Sequence, residues 1–306
     1  MLAREGFGLL ATSAKKAMSA MPSTAPSIPH AHAAVRFATA DCSVALLPAA
    51  AYEVHYNPAH HVIGFTFERQ QGIGAFASDR RRPYGADPWR LALTPRGCDV
   101  YSSSPTGGEY LALCVAPMAL ARLAPEFDDS RLQQFTNRAA PAFTPVAMAL
   151  RRRLMSRDVG NSLAIELSIA EAVAQVVEQI DGRAPARGLQ HRMTAARLRS
   201  VFGYIEDNLH RDMRLAEIAG AISLSEAYVA RSFKAATGIT LHAALLERRV
   251  ARARCLIADA KRASASANLA DIAQATGFSS HAHMTTAFRR ALGTTPSAWA
   301  GIDGRY

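Results

Sequence analysis

The chain has 306 residues, of which 49% are apolar and 20% charged, and its formal net charge is +10. That length and mix allow two globular domains, and no apolar run reaches the roughly 20 residues a membrane helix needs. The basic excess favours a polyanionic partner, nucleic acid before a membrane surface, and it is concentrated, with about 18 Lys/Arg against about 9 Asp/Glu from Arg183 onward.

Residues 1–33 are rich in Ala, Ser, Met and Pro. They read as a disordered leader or as a start placed too early, with Met18 or Met21 as the alternatives. The apolar stretch from Phe7 to Ala11 is too short for a signal-peptide core. Residues 34–116 read as short strands, at 44–47, 52–56, 62–67, 89–93 and 110–115. Turn signals at Asn57-Pro58, Gly85 to Pro88, Pro95 to Gly97 and Pro105 to Gly108 separate several of them. Strands at that spacing predict a small barrel or sandwich. Tyr52, Phe65, Phe67, Tyr84, Trp89 and Tyr101 either line a pocket or are ordinary core and surface aromatics; no residue is assigned to an effector. Arg80, Arg81 and Arg82 read as a solvated loop.

His55, His60 and His61, with Glu68 beyond, raise the question of a metal site. Asn57-Pro58 breaks the first spacing, so no metal is expected. The chain holds no G-x-S-x-G elbow, P-loop or dinucleotide fingerprint, and Asp128-Asp129 read as solvated loop charges. No catalytic residue and no cofactor are expected. Cys42, Cys98, Cys114 and Cys255 form no CxxC pair, which suits reduced thiols in a cytoplasmic protein.

From Pro117 the pattern turns helical. Residues 146–155 and 162–180 carry apolar residues at helical spacing, the second with Leu163, Ile169, Val173, Val176, Val177 and Ile180 on one stripe. Gly182 to Gly188 break the order, and a linker is placed at 182–192. A helix over 193–209 repeats Val201, Ile205 and Leu209 at i+4 and opens the last unit, 193–306.

That unit contains a repeat. Leu215, Ile218, Ala219, Ser225, Phe233 and Gly238 answer to Leu269, Ile272, Ala273, Ser279, Phe288 and Gly293, with one extra residue in the second copy between Ser279 and Phe288. Each copy is a short helix, a tight turn and a second helix, and in the later one Gly277 permits the left-handed turn. Ser279 or Ser280 can cap the second helix of that copy. A long helix over 241–260 joins the two. Such pairs, the later one ending in Arg289-Arg290, suit major-groove entry with phosphate clamping.

Gly277-Phe278-Ser279, Phe288-Arg289 and Gly293 to Pro296, set in this repeat, resemble the C-terminal domain of the AraC/XylS family of bacterial transcription regulators. The resemblance covers about the last 110 residues strongly. It implies an α+β multidomain protein. In this arrangement an N-terminal cupin-like β-barrel with following helices (34–181, helices at 117–181) precedes an all-α domain with two helix-turn-helix motifs. The turn Leu93-Thr-Pro95-Arg-Gly97 is similar to one common in that barrel.

By the same resemblance the second helix of each motif enters one of two successive major grooves, about 34 Å apart. The base-reading positions are then Ala227, Ala230 and Arg231 in the first copy and His281, Ala282, Thr285 and Thr286 in the second. Arg231 is the strongest of them, because arginine pairs in bidentate fashion with guanine. Family members often carry arginine where Thr286 stands, which implies weaker or more shape-dependent reading there. Lys234, Arg289 and Arg290 are the phosphate contacts. The expected partners are double-stranded DNA, RNA polymerase, a small-molecule effector and a second copy of the chain. The function implied is an effector-responsive activator. A metal-cupin enzyme fused to a DNA-binding module and a ligand-independent DNA-binding protein are the rivals.

Overall fold

The computed structural model describes residues 35–156, 162–182, 193–263 and 268–301. The leader expected over 1–33, and all but the first residue of the expected linker, lie outside them. Strands come first, in two antiparallel sheets. The larger has the order β1 (Val35–Ala38), β2 (Cys42–Leu47), β9 (Tyr110–Val115), β4 (His61–Thr66), β7 (Arg90–Thr94) and β10 (Phe135–Ala139). The smaller has the order β3 (Tyr52–Tyr56), β8 (Val100–Ser104), β5 (Gln70–Phe76) and β6 (Arg82–Ala86).

The central strands of the larger sheet are covered on both faces, which is why they read as apolar runs without polar alternation. Along β9, Leu111, Leu113 and Val115 join the main core, while Ala112 and Cys114 sit in a smaller cluster on the opposite face with Tyr110 packed against it. Tyr110 fits because Gly64 faces it: a Cβ there would lie 1.5 Å from the Tyr110 hydroxyl. Between the two sheets lies a cavity of about 380 Å³.

The expected cupin-like barrel is corrected to two open sheets facing each other across this cavity. Among the described residues no strand pairing joins one sheet to the other. Part of the reason lies at β10, whose pairing with β7 shifts register between Phe135 and Arg138. There Asn137 takes a positive φ of 55° and its amide oxygen accepts from the Asp87 N–H instead. The arginines expected in a solvated loop partly form β6, which begins at Arg82.

Helices cover the outer face of the larger sheet. They are α1 (Pro117–Leu123), α2 (Phe143–Met155) and α3 (Ser162–Ile180). On α3 the buried side carries Ile165, Ile169, Ala172, Val173 and Val176. Leu163, expected on that stripe, is instead 65% exposed, and Leu167 one turn on is 63% exposed.

The C-terminal part is all helix: α4 (Ala195–Asp207), α5 (Leu215–Ala221), α6 (Glu226–Thr237), α7 (Leu241–Arg262), α8 (Leu269–Ala275), α9 (His281–Leu292) and α10 (Pro296–Ala300). The polar residues ahead of these helices set where they start. Thr194, Ser225, Thr240, Asn268, Ser280 and Thr295 each accept a backbone N–H from the first turn that follows. One apolar core runs through both parts of the molecule. Trp89, held at φ +57°, packs edge-on against Phe202 of α4 and Phe233 of α6, with ring centroids 5.3 and 6.3 Å away.

Candidate nucleic-acid interface

The two repeats fold alike. In the first, α5 buries Ile218 and Ala219, and the chain turns through Ser223 at φ +54°. In the second, α8 buries Ile272 and Ala273, and the turn runs through Gly277 at φ +77°. A Cβ at Gly277 would come within 2.1 Å of the Leu209 carbonyl, so glycine is needed for space as well as for backbone angle. The first copy, with Ser223 exposed, has room for a side chain.

The extra residue of the second copy is also resolved. Ser280, not Ser279, caps α9 by accepting from His283 N at 3.1 Å. Ser279 hydrogen-bonds the His283 ring at 3.0 Å. Counted from their caps, Ser225 and Ser280, α6 and α9 are in register to their left-handed C-caps, Gly238 and Gly293. Arg231 therefore stands where Thr286 does, and Lys234 where Arg289 does.

Each second helix buries one face and shows the other to solvent. Val229 and Phe233 on α6, and Met284, Ala287 and Phe288 on α9, are buried. Ala227, Ala230 and Arg231 are exposed on α6, as are His281, Ala282 and Thr286 on α9, while Thr285 is half-buried. The Thr286 hydroxyl donates to the Ala282 carbonyl of its own helix at 3.1 Å. Lys234, Arg289 and Arg290 are exposed, and among the described residues neither they nor Arg231 form an ion pair. Unpaired cations on two matching exposed helix faces are what a polyanion requires.

Most of the arginines on the joining helix α7 are committed elsewhere. Arg248 pairs with Glu206, and Arg249 donates to the carbonyls of Leu209 and Arg211. Arg254 donates to Glu109 at 2.6 Å. Glu109 is 1% exposed and also takes Arg151 of α2 at 3.0 Å, while Arg151 reaches Glu247 of α7. Burial raises the Glu109 carboxyl, but Arg254 and Arg151 outweigh it and leave it below the usual glutamate range. This buried acid was not singled out in the sequence, where it reads as one more turn residue after Gly107-Gly108.

The candidate metal residues do not converge. His55 is exposed beside Asp99, His61 is buried and faces Asp129 at 3.6 Å, and Glu68 accepts from the Glu109 N–H. Among the described residues no group of three or more His, Cys, Asp or Glu is placed to hold a metal ion. Of the aromatics considered for a pocket, Tyr52 and Tyr84 line the cavity between the sheets, while Phe65, Phe67 and Trp89 belong to the main core. Tyr101 is not part of the cavity lining, and its hydroxyl donates to Glu53.

A family model described as a helix-turn-helix domain matches residues 218–301. A probable transcriptional regulator, LumQ, from Photobacterium leiognathi is 33% identical over 99 residues, 32% of this chain and 38% of that one. The chain therefore spans well under half the length of that relative. A solved transcriptional regulator from Chromobacterium violaceum, described by its AraC-type DNA-binding domain, is 26% identical and covers 35% of this chain and 90% of that one, with a TM-score of 0.32. Unsaturated fatty acid-bound ToxT from Vibrio cholerae is 11% identical over 86% of this chain and 96% of that one, with a TM-score of 0.32.

Proposed function

We propose that this chain, which carries an AraC-type helix-turn-helix domain in its C-terminal part, is a transcription regulator that binds double-stranded DNA through α6 and α9. The observation that carries the reading is the matched pair of exposed faces, each with unpaired cations and each held by the same cap and the same left-handed stop. Arg231 reads a base, with Ala227 and Ala230 beside it leaving room or meeting thymine methyls. His281, Ala282, Thr285 and Thr286 read more weakly, since the Thr286 hydroxyl is turned onto its own helix. Lys234, Arg289 and Arg290 contact phosphate.

The cavity between the sheets is the place for an effector. A second copy of the chain docks on the exposed Leu163 and Leu167 of α3, with Met118 of α1, 76% exposed, as a further apolar contact. The chain acts as an activator in contact with RNA polymerase, in the cytoplasm, as the AraC/XylS resemblance implies. The unlike environments of His55, His61 and Glu68 disfavour the metal-enzyme alternative.

Selection of random duplexes on the full chain tests this. Enrichment of two sequence blocks about one helical turn apart is the expected result. Salt-sensitive binding with nothing enriched would reduce the protein to a basic helical surface.

A further inference from the structure

We infer that the cavity between the two sheets binds a small organic anion with an aromatic or apolar body, its charged head against the guanidinium of Arg90. The inference rests on the reading of this cavity as the effector site and names the class of effector.

Arg90 opens β7, where alternation puts Arg90, Ala92 and Thr94 on the cavity wall and Leu91 and Leu93 in the main core. It is only 7% exposed. Its backbone is satisfied by Thr66, but its guanidinium makes no hydrogen bond among the described residues, and Nε is buried without a partner. Asp87 acts on it electrostatically without a hydrogen bond; the Asp87 carboxylate faces Arg199 at 4.0 Å. Burial lowers the Arg90 guanidinium below the usual arginine range, with Asp87 only partly opposing this. Arginine nevertheless stays protonated, so a buried cation without a hydrogen-bonded counter-ion remains.

Three other arginines among the described residues are equally buried: Arg151 and Arg254 hold Glu109, and Arg249 donates to the carbonyls of Leu209 and Arg211. The chain thus supplies a partner where the role is structural and leaves Arg90 open where it faces a void. A planar guanidinium takes a carboxylate or a phosphate in two parallel hydrogen bonds. The remaining wall suits the rest of such a molecule. Tyr52, Tyr56, Tyr84 and Tyr110 give aromatic surface, and Val62 and Ala112 give an apolar floor. The Tyr52 and Tyr84 hydroxyls bond each other, and Tyr52 also meets Ser102 at 3.1 Å, so these hydroxyls are already engaged whereas the Arg90 guanidinium is not. A volume of about 380 Å³ lies in the range of sites for small organic ligands. Arg90 also follows Trp89 in the chain, and Trp89 packs on α6 through Phe233, so a ligand on Arg90 would act on the residue next to that contact.

Calorimetric titration of the full chain with naphthoate, naphthyl phosphate and naphthamide tests the assignment. These probes share a body and differ in the head group. Expected is one saturable site that takes the anions at least about tenfold more tightly than the amide. The tighter anion identifies the head as carboxylate or phosphate. Arg90→Gln should remove the preference and leave amide binding, and Arg90→Lys should restore part of it. Ala92→Phe, which narrows the cavity with Arg90 intact, should weaken all three probes and keeps the test open should Arg90→Gln not fold. Equal binding of amide and anions would overturn the anion assignment and leave the cavity as an effector site. Anion preference that survives Arg90→Gln would place the anion elsewhere and overturn it too. No saturable binding of any probe would overturn the assignment together with the effector reading beneath it.

Discussion

Single residues in this protein earn their places by burial and pairing, and Glu109 shows this most clearly. It is 1% exposed and holds two arginines from two helices, one of them in the DNA-binding part. Glu109→Gln should cost about 3–5 kcal/mol in urea unfolding, because it takes the carboxylate from buried Arg254 and leaves Arg151 with Glu247 alone. The pH dependence follows from the lowered carboxyl. Glu109 stabilises the fold above the unfolded-state pKa of about 4.3, and that contribution is lost as pH falls from there through the lower folded value. The wild-type chain should therefore lose stability on acidification over that window more steeply than Glu109→Gln. At the surface the expected effects concern DNA alone. Arg231→Ala should cost about 1–3 kcal/mol on the selected site and relax one base position, whereas Arg289→Ala should weaken every duplex and reduce the salt slope by about one. Equal losses on selected and random DNA for Arg231→Ala would remove it as a base reader. Arg231 was picked out in the sequence through the AraC/XylS resemblance and the pairing chemistry of arginine with guanine. Glu109 was not, because its partners lie 42 and 145 residues away and no local pattern encodes them.

At the scale of elements, caps and glycines carry much of what was legible. Ser225, Thr240 and Thr295 start helices close to where a hydroxyl ahead of an apolar stripe says they should. Gly238 and Gly293 stop helices in the left-handed conformation. Gly238 has a second duty, since a Cβ there would lie 2.0 Å from the Pro141 carbonyl, just ahead of α2. Gly97 has a similar φ of 76° but open space around it. Gly97→Ala should therefore cost only the backbone strain, about 1 kcal/mol, while Gly238→Ala should cost clearly more because two elements must move apart. Thermal melts of the two variants decide this, and equal shifts would mean that the Pro141 contact relaxes freely. The strands were less legible. Strands buried on both faces show as apolar runs, so β2, β4, β7 and β9 were found, at least in part. β6 and β10 carry Arg82, Pro83, Tyr84 and Thr136, Asn137, Arg138, whose polarity hides them. Whether strands close into a barrel or stay as two open sheets depends on register at bulges such as the one in β10, and single-sequence alternation does not report that. Leu163 misled for a related reason: it obeys the helical period yet lies on the side of α3 that the other described residues leave uncovered.

For the molecule as a whole, α6 and α9 are both anchored on the N-terminal part as well as on α7. Phe233 holds α6 against Trp89, and Arg151 of α2 reaches the Ala291 carbonyl of α9 at 3.4 Å. The distance between the exposed faces of α6 and α9 is thus set by a frame that includes the N-terminal part, and a ligand on Arg90 would press on the same frame. Trp89→Ala tests the frame because Trp89 is buried, far from the exposed faces of α6 and α9 in character, and removes an aromatic contact with both Phe202 and Phe233. It should lower stability by about 3–5 kcal/mol, as truncation of a buried tryptophan does. With the variant still folded at low temperature, its affinity for the two-block duplex should fall about tenfold, or about 1.4 kcal/mol. Affinity for duplexes carrying either block alone should not change, because each helix keeps its own surface and only their joint placement is loosened. Anisotropy titrations with the three duplexes separate the cases. An equal loss on the first block alone would mean that Trp89 supports α6 and nothing larger. Unchanged affinity on all three would mean that α7 by itself spaces the two helices, and that the β-rich part reaches DNA by some route other than this contact.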